Sequence, residues 1–223
     1  MKQTTNMARA IGQIQKIARL INQDWFDGEM NMERCIFTVQ STPKAYGHFT
    51  PYLSYRVHGA DGEREAVEIN LGAGTLDRPI EEVVSTLIHE MVHWYNWEHD
   101  VKDVSNHGRH HNKRFKAEGE RRGLILECVS TIGWSRTSPS EDLLQWVIDN
   151  DLEDLRLGRN DYGYCSTGTA GTRDKGSSDK EIQPKKKSSY IRWTCPCCGA
   201  IVRSTKVLNL VCGDCNEQFV QED

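Results

Sequence analysis

The segment His89-Glu90-Met91-Val92-His93 sets two imidazoles four residues apart, with a carboxylate beside the first. Residues at that spacing on a helix stand one turn apart on the same face. Both imidazoles can therefore reach one Zn²⁺, and Glu90 can approach a water there from the side. Zinc brings the pKa of such a water towards about 7. Glu90 would take the proton as the oxygen attacks a peptide carbonyl, then return it to the leaving amine. A chance HExxH is expected in roughly one per cent or fewer of chains this long. A second chemical cluster lies near the C-terminus, in Cys195-Pro196-Cys197-Cys198-Gly199 and Cys212-Gly213-Asp214-Cys215. Two CxxC pairs at this separation predict a zinc ribbon. Pro196 and Gly199 favour Cys195 and Cys198 as ligands beside Cys212 and Cys215, with Cys197 a bystander. Four thiolates close a tetrahedral site, so this zinc is expected to be structural. The segment is too short to build a sufficient core without it.

A catalytic zinc needs a third protein ligand and an open position. His99, His107, His110 and His111 follow within reach along the chain. His99 would complete a spacing close to that of metzincins, with Asn96 where they carry Gly. Metzincins also need a downstream Met-turn, and no methionine follows Met91. That reading is set aside, and His107, His110 and His111 stay open on spacing alone.

These residues need elements to hold them. Apolar positions Met7, Ile11, Ile14, Ile17, Ala18, Ile21 and Trp25 recur at helical spacing over about 5–26, ended by Asp27-Gly28. Residues 35–40, 46–57 and 65–71 read as strands of a small antiparallel sheet, with a turn at 58–62. The HExxH helix should start near Asp77–Pro79, with Glu81 and Glu82 complementing its dipole, and run to about Trp97. Leu87, Ile88, Met91 and Val92 make it a buried helix. A further helix is expected over 112–122 and an extended segment over 124–132. Ser138-Pro139-Ser140-Glu141 reads as a capping box that opens a helix ending near Gly158. From about Arg159 to Ser189 the chain turns to Gly, Ser, Thr, Asp and Lys, the composition of a linker.

With 223 residues, 37% of them hydrophobic, the chain can build one sizeable core and a small satellite. No apolar run nears the roughly 20 residues of a membrane span, and the first fifteen residues lack the apolar core of a signal peptide. A cytoplasmic protein with no membrane partner is expected. The eight cysteines fit a reducing compartment, five of them crowding into the last thirty residues as metal ligands would. The net charge of −4 makes the whole molecule no polycation. Charge is segregated, however, with 141–154 acidic and 180–206 mostly basic. Lys185, Lys186, Lys187, Arg192, Trp193, Arg203 and Lys206 interleave cations with an aromatic, a pattern suited to phosphates and stacked bases.

Several stretches together resemble the SprT-like zinc metallopeptidase family, the Spartan-related group. They are Trp25-Phe26-Asp27-Gly28-Glu29, Tyr46-Gly47-His48-Phe49, Glu68-Ile69-Asn70, Arg78-Pro79-Ile80, the HExxH itself, and His111 four residues before Phe115. The resemblance covers most of the chain and departs from Spartan in the tail, where the ribbon follows. It implies His111 as the third ligand, with His110 next in line. It also implies a zincin-type domain, and with the linker composition and the two CxxC pairs the chain reads as α+β: a zincin-like domain over 1–158, a flexible linker over 159–189 and a zinc ribbon over 190–223. The expected function is zinc-dependent endopeptidase action on protein substrates attached to DNA, with one catalytic and one structural Zn²⁺. The alternative is a zinc-containing nucleic-acid-binding or regulatory protein with little proteolysis. The presence of Glu90 favours the enzyme, since binding alone would not require that carboxylate. Tyr46 and His48 are left out of the catalytic set.

Overall fold

Helix α2, Ile80–Glu98, is the element around which the first part of the molecule packs. The computed structural model describes residues 5–42, 45–59, 62–106, 108–159 and 191–222. Within α2, Ile80, Val83, Val84, Leu87, Ile88, Met91, Val92 and Trp94 are each at most 2% exposed. That is the pattern of a helix covered nearly all round. Helix α1, Met7–Trp25, buries Ile14, Ile17, Ala18 and Ile21 in the same core. Its N-terminus is capped by Asn6, whose side chain accepts the Arg9 N–H at 2.9 Å.

Strands β1 (Cys35–Gln40), β2 (Gly47–Gly59) and β3 (Gly62–Gly72) form a sheet in the order β1-β3-β2. β3 carries the buried Ala66, Val67, Ile69 and Leu71 and takes the centre. The expected antiparallel sheet is in fact mixed: β2 folds back on β3 as a hairpin, while β1 runs parallel to β3 from Cys35↔Val67 onward. The hairpin occupies one side of β3 and leaves the other to β1, which runs the same way. β2 is thus an edge strand, bulged between Thr50 and Tyr55.

The chain then makes β4 (Val104–Ser105), β5 (His110–His111), α3 (Lys113–Arg121), β6 (Leu124–Val129), β7 (Gly133–Pro139) and α4 (Glu141–Asp149). The four strands form a second sheet in the order β4-β5-β7-β6. Two departures from the sequence expectation lie here. The cap of α4 is Ser140, whose Oγ accepts the Leu143 N–H at 3.2 Å, while Pro139 ends the preceding strand. α4 also stops at Asp149 rather than near Gly158, where Asn150 caps it and Asp151 takes a positive φ of 48°.

The segment after α4 has its own task. Leu152 and Leu155 are buried, and Asp154 Oδ1 accepts the Ile80 N–H at 3.0 Å. Pro79, the residue before α2, offers no side-chain cap, so Asp154 satisfies an otherwise orphaned donor of the HExxH helix. Asp154→Ala is expected to lower stability by about 1 kcal/mol, read as a shifted denaturant midpoint. An unchanged midpoint would mean that water replaces the carboxylate without loss.

Strands β8 (Ile191–Thr194), β9 (Ile201–Ser204) and β10 (Val220–Glu222) make a third sheet in the order β10-β8-β9. The expected linker falls almost wholly on residues 160–190, outside the described residues. No helix among the described residues is long and apolar enough to cross a membrane.

Candidate metal centre

His89 and His93 project from α2 towards His111, which arrives on β5. β5 is pinned on both sides, Val104 pairing with His111 on one and Gly133 on the other. The His111 N–H also donates to the Ile132 carbonyl at 3.0 Å. Gly133 has φ 70°, and a Cβ there would collide with the His111 carbonyl oxygen and the His110 ring. Only glycine lets β7 approach β5 this closely.

The Nε2 atom of His111 lies 3.2 Å from that of His89 and 3.0 Å from that of His93. A tetrahedral zinc with bonds of about 2.0–2.1 Å sets its nitrogens roughly 3.3 Å apart, so the spacing suits one ion. Tautomers point the same way. His93 Nδ1 faces Asp103 Oδ2 at 2.7 Å, and His111 Nδ1 faces the Ile132 carbonyl at 3.3 Å. Both partners only accept, so both Nδ1 atoms carry the proton, and a neutral ring of that tautomer presents its Nε2 lone pair. Lone pairs facing each other at this distance repel unless a cation lies between them. Burial, followed by the charges of its two histidine neighbours, holds the His89 pKa well below its usual value. Burial first, then the charge of His93, lowers His111 to about 4. Neutral imidazoles are the form that binds metal.

Phe115 is fully buried beneath the triad, its ring centroid 4.5–4.6 Å from each of the three imidazoles. It fixes their rotamers from below. Asp103 is 7% exposed and also accepts from Asn96 Nδ2 at 3.1 Å. A carboxylate behind a ligating histidine orients the ring and raises its basicity. Asp103→Asn is expected to weaken zinc binding at this centre by about 10–100-fold, measured by competition with a chromogenic chelator. Unchanged affinity would remove Asp103 from the site.

Glu90 is 6% exposed and lies under β2. Burial pushes its carboxyl up to about 7, opposed by the charge of His93 and by the backbone N–H of Phe49. A carboxylate poised there can accept and release a proton near neutral pH. The close passage of β2 depends on Gly47. A Cβ at that position would stand 2.8 Å from the Asn70 carbonyl oxygen and 3.2 Å from Glu90 Oε1. Asn70 is itself fully buried and ties the neighbouring strands together, accepting the Gln40 N–H at 2.8 Å and donating to Thr42 at 2.5 Å.

Among the described residues, His48, His99 and His110 are not part of the triad. His99 Nδ1 donates to the Tyr95 carbonyl at 2.7 Å and its ring stacks on Tyr95. His110 packs against Gly133 with its Nδ1 buried and lacking a partner among the described residues. His107 lies outside the described residues. His48 is exposed, and the Arg78 guanidinium covers the Tyr46 ring at 4.0 Å.

Beside the C-terminal sheet the sulfurs of Cys195, Cys198, Cys212 and Cys215 all lie within 4.8 Å of one another. The two knuckles repeat one geometry. Gly199 N–H returns to the Cys195 carbonyl at 2.9 Å and Asn216 N–H to the Cys212 carbonyl at 2.8 Å. Gly199 and Asn216 both hold positive φ, 73° and 56°. Amides of Cys198 and Cys197 help bring the Cys195 thiol down to about 7, whereas hydrogen bonds with Cys197 and Cys198 push the Cys215 thiol up. Cys197 is exposed and stands outside the quartet.

The nucleic-acid candidates fare unevenly. Lys185, Lys186 and Lys187 lie outside the described residues. Trp193 is 7% exposed, so packing within the ribbon occupies a ring that the sequence suggested for base stacking. Arg203 donates to the Leu152 carbonyl at 3.1 Å, Arg192 is half-buried on β8, and Lys206 is exposed. Asp103, Gly133 and the Gly47–Glu90 contact were missed as site features. The signal available for Asp103 was an acidic residue shortly after the second histidine.

Comparison with known protein families matched residues 14–130 to the model described as the SprT-like family. No curated protein and no solved structure gave a significant match.

Proposed function

The chain belongs to the SprT-like family, and from that premise we propose that it is a zinc-dependent endopeptidase acting on DNA-bound or DNA-crosslinked proteins. The observation that most supports the peptidase reading is the convergence of the His89, His93 and His111 Nε2 atoms beside the buried Glu90. Zinc in that triad would supply a Lewis acid and lower the pKa of water towards about 7. Glu90 accepts the proton of the attacking water and delivers it to the leaving amine. Asp103 holds His93 in the ligating tautomer, and Phe115 keeps the three rings in place. β2 runs over Glu90 and has no further strand beyond it among the described residues, so its outer edge can receive an extended peptide as an added strand. The Cys195, Cys198, Cys212 and Cys215 set would hold the second, structural zinc and so fold the ribbon.

On this reading 1–158 is the peptidase domain, 159–189 a tether and 190–223 the ribbon. The DNA part rests on the family and on the basic character of 180–206. Its test is cleavage of one protein presented free and presented crosslinked to DNA. Faster cleavage of the crosslinked form is expected. Equal cleavage of the two would make this a general peptidase, and no cleavage of either would favour a binding protein.

A further inference from the structure

Residues 101–117 carry five cations, Lys102, Arg109, Lys113, Arg114 and Lys116, against one acid. That acid, Asp103, is buried and turned to His93 and Asn96. In a chain of net charge −4 such a stretch is unusual. The cations are not equivalent. Lys116 lies over the Trp134 ring at 4.2 Å and 3.4 Å from Glu120. Further along α3, Arg121 and Arg122 both pair with Glu118. Lys102, Arg109, Lys113 and Arg114 are exposed and have no acidic partner among the described residues.

Three of these four line a shallow, open groove together with Val104, Ser105 and Asn112. The groove is tied to the metal centre. Its β4 wall pairs with β5, Val104 opposite His111, and Asn112 Nδ2 donates to the Lys102 carbonyl at 2.8 Å. Stability does not explain the charge. Lys113 and Arg114 are the first two residues of α3, whose first turn has no acidic residue. Cations at a helix N-terminus oppose its dipole and weaken the helix. Positions that break a local rule without a stabilising return are expected to serve a site.

The geometry points to a phosphodiester-binding groove, formed by Lys102, Ser105, Lys113 and Arg114, that holds a nucleic-acid backbone alongside the metal centre. The inference builds on the reading of this chain as a DNA-directed peptidase and adds a contact separate from the ribbon. Several point-like cations with hydroxyl and amide donors suit successive phosphates. The groove lining contains a single apolar side chain, Val104, which disfavours an acidic peptide, since peptide recognition draws much of its affinity from apolar pockets.

The test uses the full chain carrying Lys102→Glu, Lys113→Glu and Arg114→Glu together, with a second variant carrying the same three changed to Ala. Binding to a fluorescent single-stranded oligonucleotide and to the matching duplex is followed by anisotropy over a salt series. Each lost phosphate contact should make the logarithmic salt slope shallower by about 0.7–0.9, so the Ala variant should lose roughly 2–3 units on the form that the groove takes. The Glu variant should bind at least about tenfold more weakly at low salt. Its melting temperature should be equal or higher, because acids at the start of α3 complement the dipole, and zinc content and cleavage of a free unstructured peptide should stay at the wild-type level. Affinity and slope unchanged on both nucleic acids would overturn the groove. So would a variant that loses binding to polyglutamate while keeping binding to DNA. The peptidase reading fails separately, on absence of Glu90-dependent cleavage, whatever the binding data show.

Discussion

The Glu90→Gln chain is expected to keep both zincs and its fold while losing about 10²–10⁴-fold in peptide hydrolysis. Gln preserves the shape of the side chain beneath Gly47, where an atom 3.2 Å from Glu90 Oε1 would already be crowded. Its amide oxygen can still accept the Phe49 N–H. What it cannot do is take a proton from water and hand it on. Stability should not fall, because the substitution removes the desolvation that burial imposes on a carboxylate. Rate measured on an unstructured peptide, with zinc content and melting temperature measured on the same sample, separates the roles. Full activity in this variant would remove Glu90 as general base. Loss of zinc with the activity would make it a structural residue.

Replacing His111 with Ala is expected to strip one zinc from the chain and abolish cleavage, leaving the ribbon zinc in place. The effect on affinity should exceed the roughly 10–100-fold expected for a supporting partner such as Asp103, because a ligating nitrogen itself is lost. His99→Ala serves as the contrast. Its ring is engaged with Tyr95 and its own helix carbonyl, so zinc content and rate should stay near the unsubstituted values. Zinc retained in His111→Ala and lost in His99→Ala would reverse the ligand assignment.

The two α2 histidines were legible in the sequence because a period of four on an apolar helix is a local signal. The four-cysteine cluster was legible for a similar reason, as two short spacings. His111 was not fixed by spacing. It reaches the triad through β4, β5 and β7, and β4 and β5 are two-residue strands with no readable period. The resemblance to a family pointed to His111, and the register against Gly133 explains why it arrives there. β7 was missed because Gly133-Trp134-Ser135-Arg136-Thr137-Ser138-Pro139 lacks alternating apolar residues. Its Pro139 then drew the α4 cap two residues too early. The parallel pairing of β1 with β3 is a tertiary choice that strand patterns do not encode. Trp193 misled in the opposite way: an aromatic among cations looks like a stacking platform until its burial is known.

The most direct measurement maps new N-termini by mass spectrometry in a protein crosslinked to DNA, after incubation with the full-length chain. Internal termini should appear with zinc present and Glu90 intact, disappear on chelation and return when zinc is restored. Termini absent under all conditions, or equally abundant with Glu90→Gln, would contradict a zinc peptidase built on His89, Glu90, His93 and His111.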